Sequence, residues 1–175
     1  RVVSGVDVSD PLSIEALAGS LGPEPIDVLI NNAAMFEPDD WRETKPDALR
    51  RHFETNALGS FIVTRTLTPK LGRSSKVIMI SSGAASLENA TSDDCLSYRM
   101  SKAALNMMGR VLASGLSDAG VTVVMIHPGS VATHMNPEGR LTPEAAAARL
   151  ARTIEGLAPS SAGTFMDLDG SPLPW

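Results

Sequence analysis

Lys76-Val77-Ile78-Met79-Ile80-Ser81-Ser82-Gly83 is an apolar run of strand length that stops abruptly in small polar residues. Its content of β-branched residues reads as a strand buried on both faces, because no polar residue alternates with the apolar ones. Comparable runs flank it at Ile26 to Ile30, Val121 to Ile126 and Thr164 to Leu168, and a fifth leads from Val2-Val3 into Val6-Asp7-Val8. Between them lie helical patterns. Asp10 before Pro11 reads as an N-cap with proline at the first helical position, opening a helix that ends near Gly22-Pro23, and Thr142-Pro143 repeats the device for a helix to about Leu157. A third helix is expected from Pro46 to about Leu67, and a fourth holds Tyr98, Lys102, Leu105, Leu112 and Leu116 and stops before Gly120. Strands alternating with helices of this length predict an α/β fold, a doubly wound parallel sheet covered on both faces.

In such sheets ligands lie beyond the carboxyl ends of the strands. The runs here end in Asp7-Val8, Asn31-Asn32-Ala33-Ala34, Ser81-Ser82-Gly83 and His127-Pro128-Gly129-Ser130-Val131-Ala132-Thr133. Each stretch alone is an ordinary turn; four of them in order on one sheet mark a site. The fourth helix adds Tyr98 and Lys102, four apart and therefore on one helical face. An adjacent ammonium favours ionisation of a phenol whose ordinary pKa is about 10, so the pair suits proton transfer.

The chain has 15 basic and 20 acidic residues, a net charge of −5 and few aromatics, which argues against a nucleic-acid surface. The single Cys95 makes no internal disulfide, and His52, His127 and His134 show no ligand spacing, so a reducing setting without a metal is expected. No apolar run is long enough to span a bilayer and no signal peptide is evident. The expectation is one cytoplasmic domain over 1–175, with small molecules or protein as partners. The chain starts with Arg1 inside a strand-like run, which is read as processing or truncation of an N-terminus.

These residues together resemble the short-chain dehydrogenase/reductase family over nearly the whole chain. The family's Asn-Asn-Ala-Gly element matches Asn31 to Ala34, with Ala34 replacing glycine; its helix asparagine matches Asn56; its serine matches Ser82 in preference to Ser81. The Tyr-x-x-x-Lys pair is Tyr98 and Lys102, and the Pro-Gly-x-Val-x-Thr element is Pro128, Gly129, Val131 and Thr133. The Ser82-to-Tyr98 spacing is a few residues longer than usual, implying an enlarged loop. The stretch Tyr98 to Asn106, the short passage between Thr133 and Pro143, and the ending Asp169-Gly170-Ser171-Pro172-Leu173-Pro174-Trp175 further resemble the C-factor and sniffer group of carbonyl reductases.

The resemblance implies a Rossmann-like domain and an NAD(P)-dependent oxidoreductase acting on a small carbonyl or alcohol. It implies Tyr98 as general acid/base, Lys102 lowering the tyrosine pKa and bonding the nicotinamide ribose, and Ser82 orienting the carbonyl. Asn56 is implied to hold a helix irregularity and a water leading toward the lysine. Asp7 and Val8 are implied to border the adenine, Asn32, Ala33 and Ala34 the ribose, and Val131 and Thr133 the carboxamide. The helices carrying Asn56 and Tyr98 imply a homodimer or homotetramer. One departure is large: the family's Gly-x-x-x-Gly-x-Gly phosphate loop has no counterpart among these residues, nor does the strand end that distinguishes NADH from NADPH. First strands and phosphate loop are therefore expected to be absent, leaving apolar sheet edges in need of cover. A non-catalytic binding or dimerisation module is the alternative; epimerisation of a sugar nucleotide is disfavoured, the region after Thr133 being short.

Overall fold

The computed structural model describes residues Arg1–Trp175. Four parallel strands, β1 (Ile26–Asn31), β2 (Leu71–Ile80), β3 (Thr122–His127) and β4 (Phe165–Asp167), lie in that spatial order. Each connection runs through helix, as parallel neighbours require. Along β2 the side chains alternate between two cores. Val77 and Met79 join Val123, Met125, Phe165 and Leu105 on one face, whereas Ile78 and Ile80 join Val124, Ile126, Met166 and Ile154 on the other. Both sets are buried, which is why the sequence shows an unbroken apolar run. The first core is roofed by α4 (Leu96–Gly115) and the second by α5 (Pro143–Gly156).

The helix starts follow their capping chemistry. α1 (Pro11–Ser20) begins where the Asp10 carboxylate accepts the Leu12 amide at 3.0 Å, and α5 where Thr142 Oγ1 accepts the Ala145 amide at 3.2 Å. The expected third helix is continuous in direction but made of three parts: α2 (Pro46–Phe53), a π-helical turn (Glu54–Gly59) and α3 (Ser60–Leu67), with Pro69 in a final 3₁₀ turn. β2 begins five residues earlier than expected, across an irregularity in its pairing with β1 at which Ser74 takes a φ of 75°.

The expected strand from Val2 to Val8 does not form. A strand needs a ladder partner, and this segment pairs with nothing: Arg1 to Asp7 are exposed and Val8 alone packs inward, beside the cluster of Ile14, Val63 and Leu67. The Asp7 carboxylate instead closes a turn, accepting the Ser9 amide at 2.8 Å and hydroxyl at 2.7 Å, bonds that hold it below the usual carboxylate pKa. Val8 rests on Gly59, where a Cβ would come within 2.8 Å of the Val8 carbonyl oxygen, so only glycine permits this approach. The outer edge of β1 meets no further strand, and its Val28 and Ile30 are 40% and 44% exposed. This is the uncovered apolar edge that the sequence led us to expect.

Candidate active site

The site gathers at the carboxyl ends of β1, β2 and β3 and along one stripe of α4. That helix has no side-chain cap of its own, since Cys95 precedes it at a φ of 54°. Asp39, from the loop after β1, does the capping: its carboxylate accepts the Ser97 amide at 3.3 Å and the Ser97 hydroxyl, while its backbone carbonyl accepts the Cys95 amide at 2.6 Å. A carboxylate at a helix N-terminus is also favoured by the helix dipole. The start of the Tyr98 helix is thus fixed by a residue 58 positions away.

Tyr98 is half-buried between Phe36, whose ring meets it edge-on at 5.2 Å between centroids, and His52 at 6.5 Å. Lys102 Nζ lies 5.7 Å from the phenol ring centre and donates to the Ile80 carbonyl at 2.8 Å. The lysine is only 2% exposed, and burial pulls its pKa down from 10.5 to about 8. Burial pushes the Tyr98 phenol up, and the neighbouring Ser82 hydroxyl partly opposes this by favouring the ionised form. Desolvation is the largest influence on both groups. The Ser82 oxygen accepts the Ala84 amide at 3.2 Å, so its own hydrogen is the one turned to the phenol.

Asn56 sits in the π-helical turn, the irregularity the resemblance implied, and is fully buried. Its side chain is committed to protein partners. Oδ1 accepts the Met35 amide at 2.7 Å, and Nδ2 donates to the Met35 carbonyl at 3.0 Å and to Ser101 Oγ at 2.9 Å; Ser101 Oγ in turn donates to the Tyr98 carbonyl at 2.8 Å. Asn56 thereby ties the segment after Asn32, Ala33 and Ala34 to the Tyr98 helix.

The remaining expected residues divide. Asn32 and Ala33 are exposed and Ala34 half-buried just past β1, while Pro128, Gly129 and Val131 are half-buried and Thr133 exposed past β3. Asp7 and Val8 lie on the α1 and α3 side, away from the Ser82, Tyr98 and Lys102 cluster. The loop after β3 is closed on itself: Ala132 N donates to Leu141 O at 2.8 Å and Leu141 N to Ser130 O at 3.0 Å. Gly139 is part of that closure, since a Cβ there would fall onto the Ala132 amide nitrogen and the Val131 carbonyl.

Sequence reasoning missed His52. It is fully buried, with Nε2 accepting the Glu37 amide at 3.1 Å and Nδ1 facing the Ala48 carbonyl at 2.8 Å, a pairing that assigns a neutral ring with its proton on Nδ1. It supports the Phe36 to Asp39 loop from beneath. Nothing in the local sequence marks it, because its partner is a backbone amide 15 residues away.

Asn56 and Lys102 are buried, and Ser82 and Tyr98 half-buried, at the carboxyl edge of a parallel sheet, the place where doubly wound α/β folds bind their ligands. Comparison with known proteins agrees. The short chain dehydrogenase family model matches residues 2–144. The 1-hydroxy-2-glutathionyl-2-methyl-3-butene dehydrogenase of Rhodococcus sp. (strain AD45) is 37% identical, the match covering 99% of this chain and 80% of that protein. The C-signal of Myxococcus xanthus is 35% identical over 93% of this chain and 100% of its own length. The NADPH-bound carbonyl reductase from chicken fatty liver superposes with a TM-score of 0.90 at 28% identity, covering 99% of this chain and 77% of that one. The chain belongs to the short-chain dehydrogenase family, an oxidoreductase family whose cofactor is NAD(P).

The residues present fit the nicotinamide half of that cofactor. Lys102 has three N–H donors, spends one on Ile80, and lies buried 5.7 Å from the centre of the half-buried Tyr98 ring, at the strand ends where such ligands bind. No glycine-rich turn is present to meet the pyrophosphate half.

Proposed function

We propose that this chain reduces a small carbonyl compound with NAD(P)H, or oxidises the corresponding alcohol, with Tyr98 as general acid/base. When bound, the nicotinamide supplies or accepts the hydride. The residues act on the oxygen end of the substrate. As negative charge grows there, Tyr98 donates its proton and the Ser82 hydroxyl turns its hydrogen from the phenol to the substrate oxygen, and both groups are held in advance. Lys102 holds the ribose hydroxyls with its unspent donors and keeps positive charge near the phenol. Asn56 positions Tyr98 through Ser101. Asn32, Ala33 and Ala34 border the ribose, Pro128, Gly129, Val131 and Thr133 the carboxamide, and Asp7 and Val8 the adenine. The observation that carries this reading is the cluster in which the half-buried Ser82 and the buried Lys102 both neighbour the half-buried Tyr98. We place the reaction in the cytoplasm, with 1–175 acting as one domain.

Calorimetric titration of the 175-residue chain with NADPH and then NADH tests it. Binding of either, followed by turnover with a carbonyl panel, is the expected result. Absence of binding by a folded sample overturns it in favour of the second reading, a non-catalytic binding or dimerisation module. That alternative draws support from the match to the relative called C-signal, which covers 100% of that protein's length.

We further propose a homodimer or homotetramer built through α2, α3 and α4. Phe53 at the end of α2, Leu58 in the π-helical turn that joins α2 to α3, and Met100, Met107 and Val111 on α4 are exposed, with Met107 66% and Val111 61% accessible, apolar surface that water does not favour. Size-exclusion chromatography with light scattering is expected to give at least twice the 18.4 kDa chain mass. A monomer at all concentrations would sink this assembly.

A further inference from the structure

The helical stripe that carries Tyr98 and Lys102 continues one turn further, to Asn106. Asn106 is 3% exposed and faces the end of β2, where Ser81, 2% exposed, donates its hydroxyl hydrogen to Asn106 Oδ1 at 2.6 Å. Asn106 Nδ2 has no partner. Leu105, the residue before it, belongs to the apolar core with Met79 and Met125. A buried polar pair that leaves one donor orphaned is a poorer stabiliser than apolar side chains of the same shape, so folding stability does not account for it.

Its position does. Ser81 is bonded through the backbone to Ser82, and Asn106 stands on the same rigid helix as Tyr98. The neighbouring bond from Lys102 Nζ to the Ile80 carbonyl gives α4 a second anchor on the adjacent residue of β2. Two anchors on consecutive residues fix both the distance and the rotation of the strand end against the helix. We propose that the buried Ser81–Asn106 hydrogen bond is a positioning bridge that holds the Ser82 hydroxyl in register with the Tyr98 phenol. The proposal rests on the reading of Ser82 and Tyr98 as the groups that meet the substrate oxygen.

Tyr98 is the only tyrosine in the chain, so tyrosinate absorbance reports on it alone. The titratable neighbours of its phenol are Lys102 on the same helix, Cys95 just before it and His52 on α2. In Ser81→Ala the bridge is lost and Ser82 drifts from the phenol. We expect kcat to fall about tenfold to a hundredfold with KM changed less than about threefold. The Tyr98 titration midpoint is expected to rise by roughly half a unit to one unit, because the hydrogen bond that favours phenoxide is weakened while burial remains. Ser81→Thr, which keeps the hydroxyl, is expected to restore both. The Ser81→Ala/Asn106→Leu double variant is expected to match wild-type denaturation midpoints while keeping the kinetic defect, separating positioning from folding. A Tyr98 midpoint that stays put, or falls toward 10 as a loosened core would make it, overturns the bridge, as does failure of Ser81→Thr to restore it. If the wild-type chain turns over no carbonyl, the proposed function fails, and the absorbance titration still decides the bridge.

Discussion

Replacing Tyr98 by phenylalanine is expected to lower carbonyl reduction by about 10²- to 10⁴-fold, the range a positioned proton donor contributes. The ring is held by the edge of Phe36 at 5.2 Å and by packing near His52, contacts that a phenylalanine keeps. The backbone is held too, since the Tyr98 carbonyl accepts Ser101 Oγ, itself bonded by Asn56. Only the hydroxyl is lost. Cofactor affinity measured by calorimetry should therefore stay within about threefold of wild type if Lys102 holds the ribose hydroxyls as proposed. Steady-state assays in parallel check the turnover. Retention of more than a few per cent of activity would remove Tyr98 from the role of acid.

Replacing Lys102 by methionine is expected to abolish turnover and, at pH 7, to make the protein more stable. Burial lowers the lysine pKa from 10.5 to about 8, so at pH 7 the folded state carries an ammonium that its surroundings disfavour. A shift of that size corresponds to about 3 kcal/mol. The bond to the Ile80 carbonyl, lost in the variant, offsets roughly 1–2 kcal/mol of this. Methionine fills nearly the same volume without charge, leaving a net gain of about 1–2 kcal/mol.

The pH dependence follows from proton counting. Below pH 8 both folded and unfolded wild-type chains carry the lysine proton, and the folded state bears the full penalty. Between about 8 and 10.5 the folded state has released the proton and the unfolded state still holds it, so wild-type stability rises with pH. The advantage of Lys102→Met should shrink across that window and reverse above it. Urea denaturation at pH 7 and pH 9.5 measures it. A variant less stable than wild type at pH 7, or a difference flat with pH, would show that the buried ammonium is not strained.

These outcomes bear on how much of the molecule was legible beforehand. The runs at Ile26, Lys76 and Val121 became strands because their apolar content has only one use in a chain of this composition, burial on both faces of a sheet. Asp10-Pro11 and Thr142-Pro143 became helix starts because the cap bond lies within three residues. Val2 to Val8 has the same strand-like content and failed, since forming a strand depends on a neighbour that no local pattern specifies. The four residues Asn56, Ser82, Tyr98 and Lys102 were readable from spacing and resemblance, but the direction of the tyrosine pKa was not. Desolvation depends on what packs around a group, and at Lys102 and Tyr98 it is the largest influence on the pKa.

The division between the two sources of information is one of range. Local chemistry within a few residues determined the strands, the helix caps, the Tyr98–Lys102 face and the family. Tertiary structure alone decided that Asp39 caps the Tyr98 helix, that His52 braces the loop above it, that Asn56 spends its amide on Met35 and Ser101, and that Ser81 meets Asn106. Each of these bonds closes between residues 15 to 58 positions apart in the chain. Such partners become neighbours only after the sheet and helices have packed, because a buried polar group takes whichever partner the fold brings within reach.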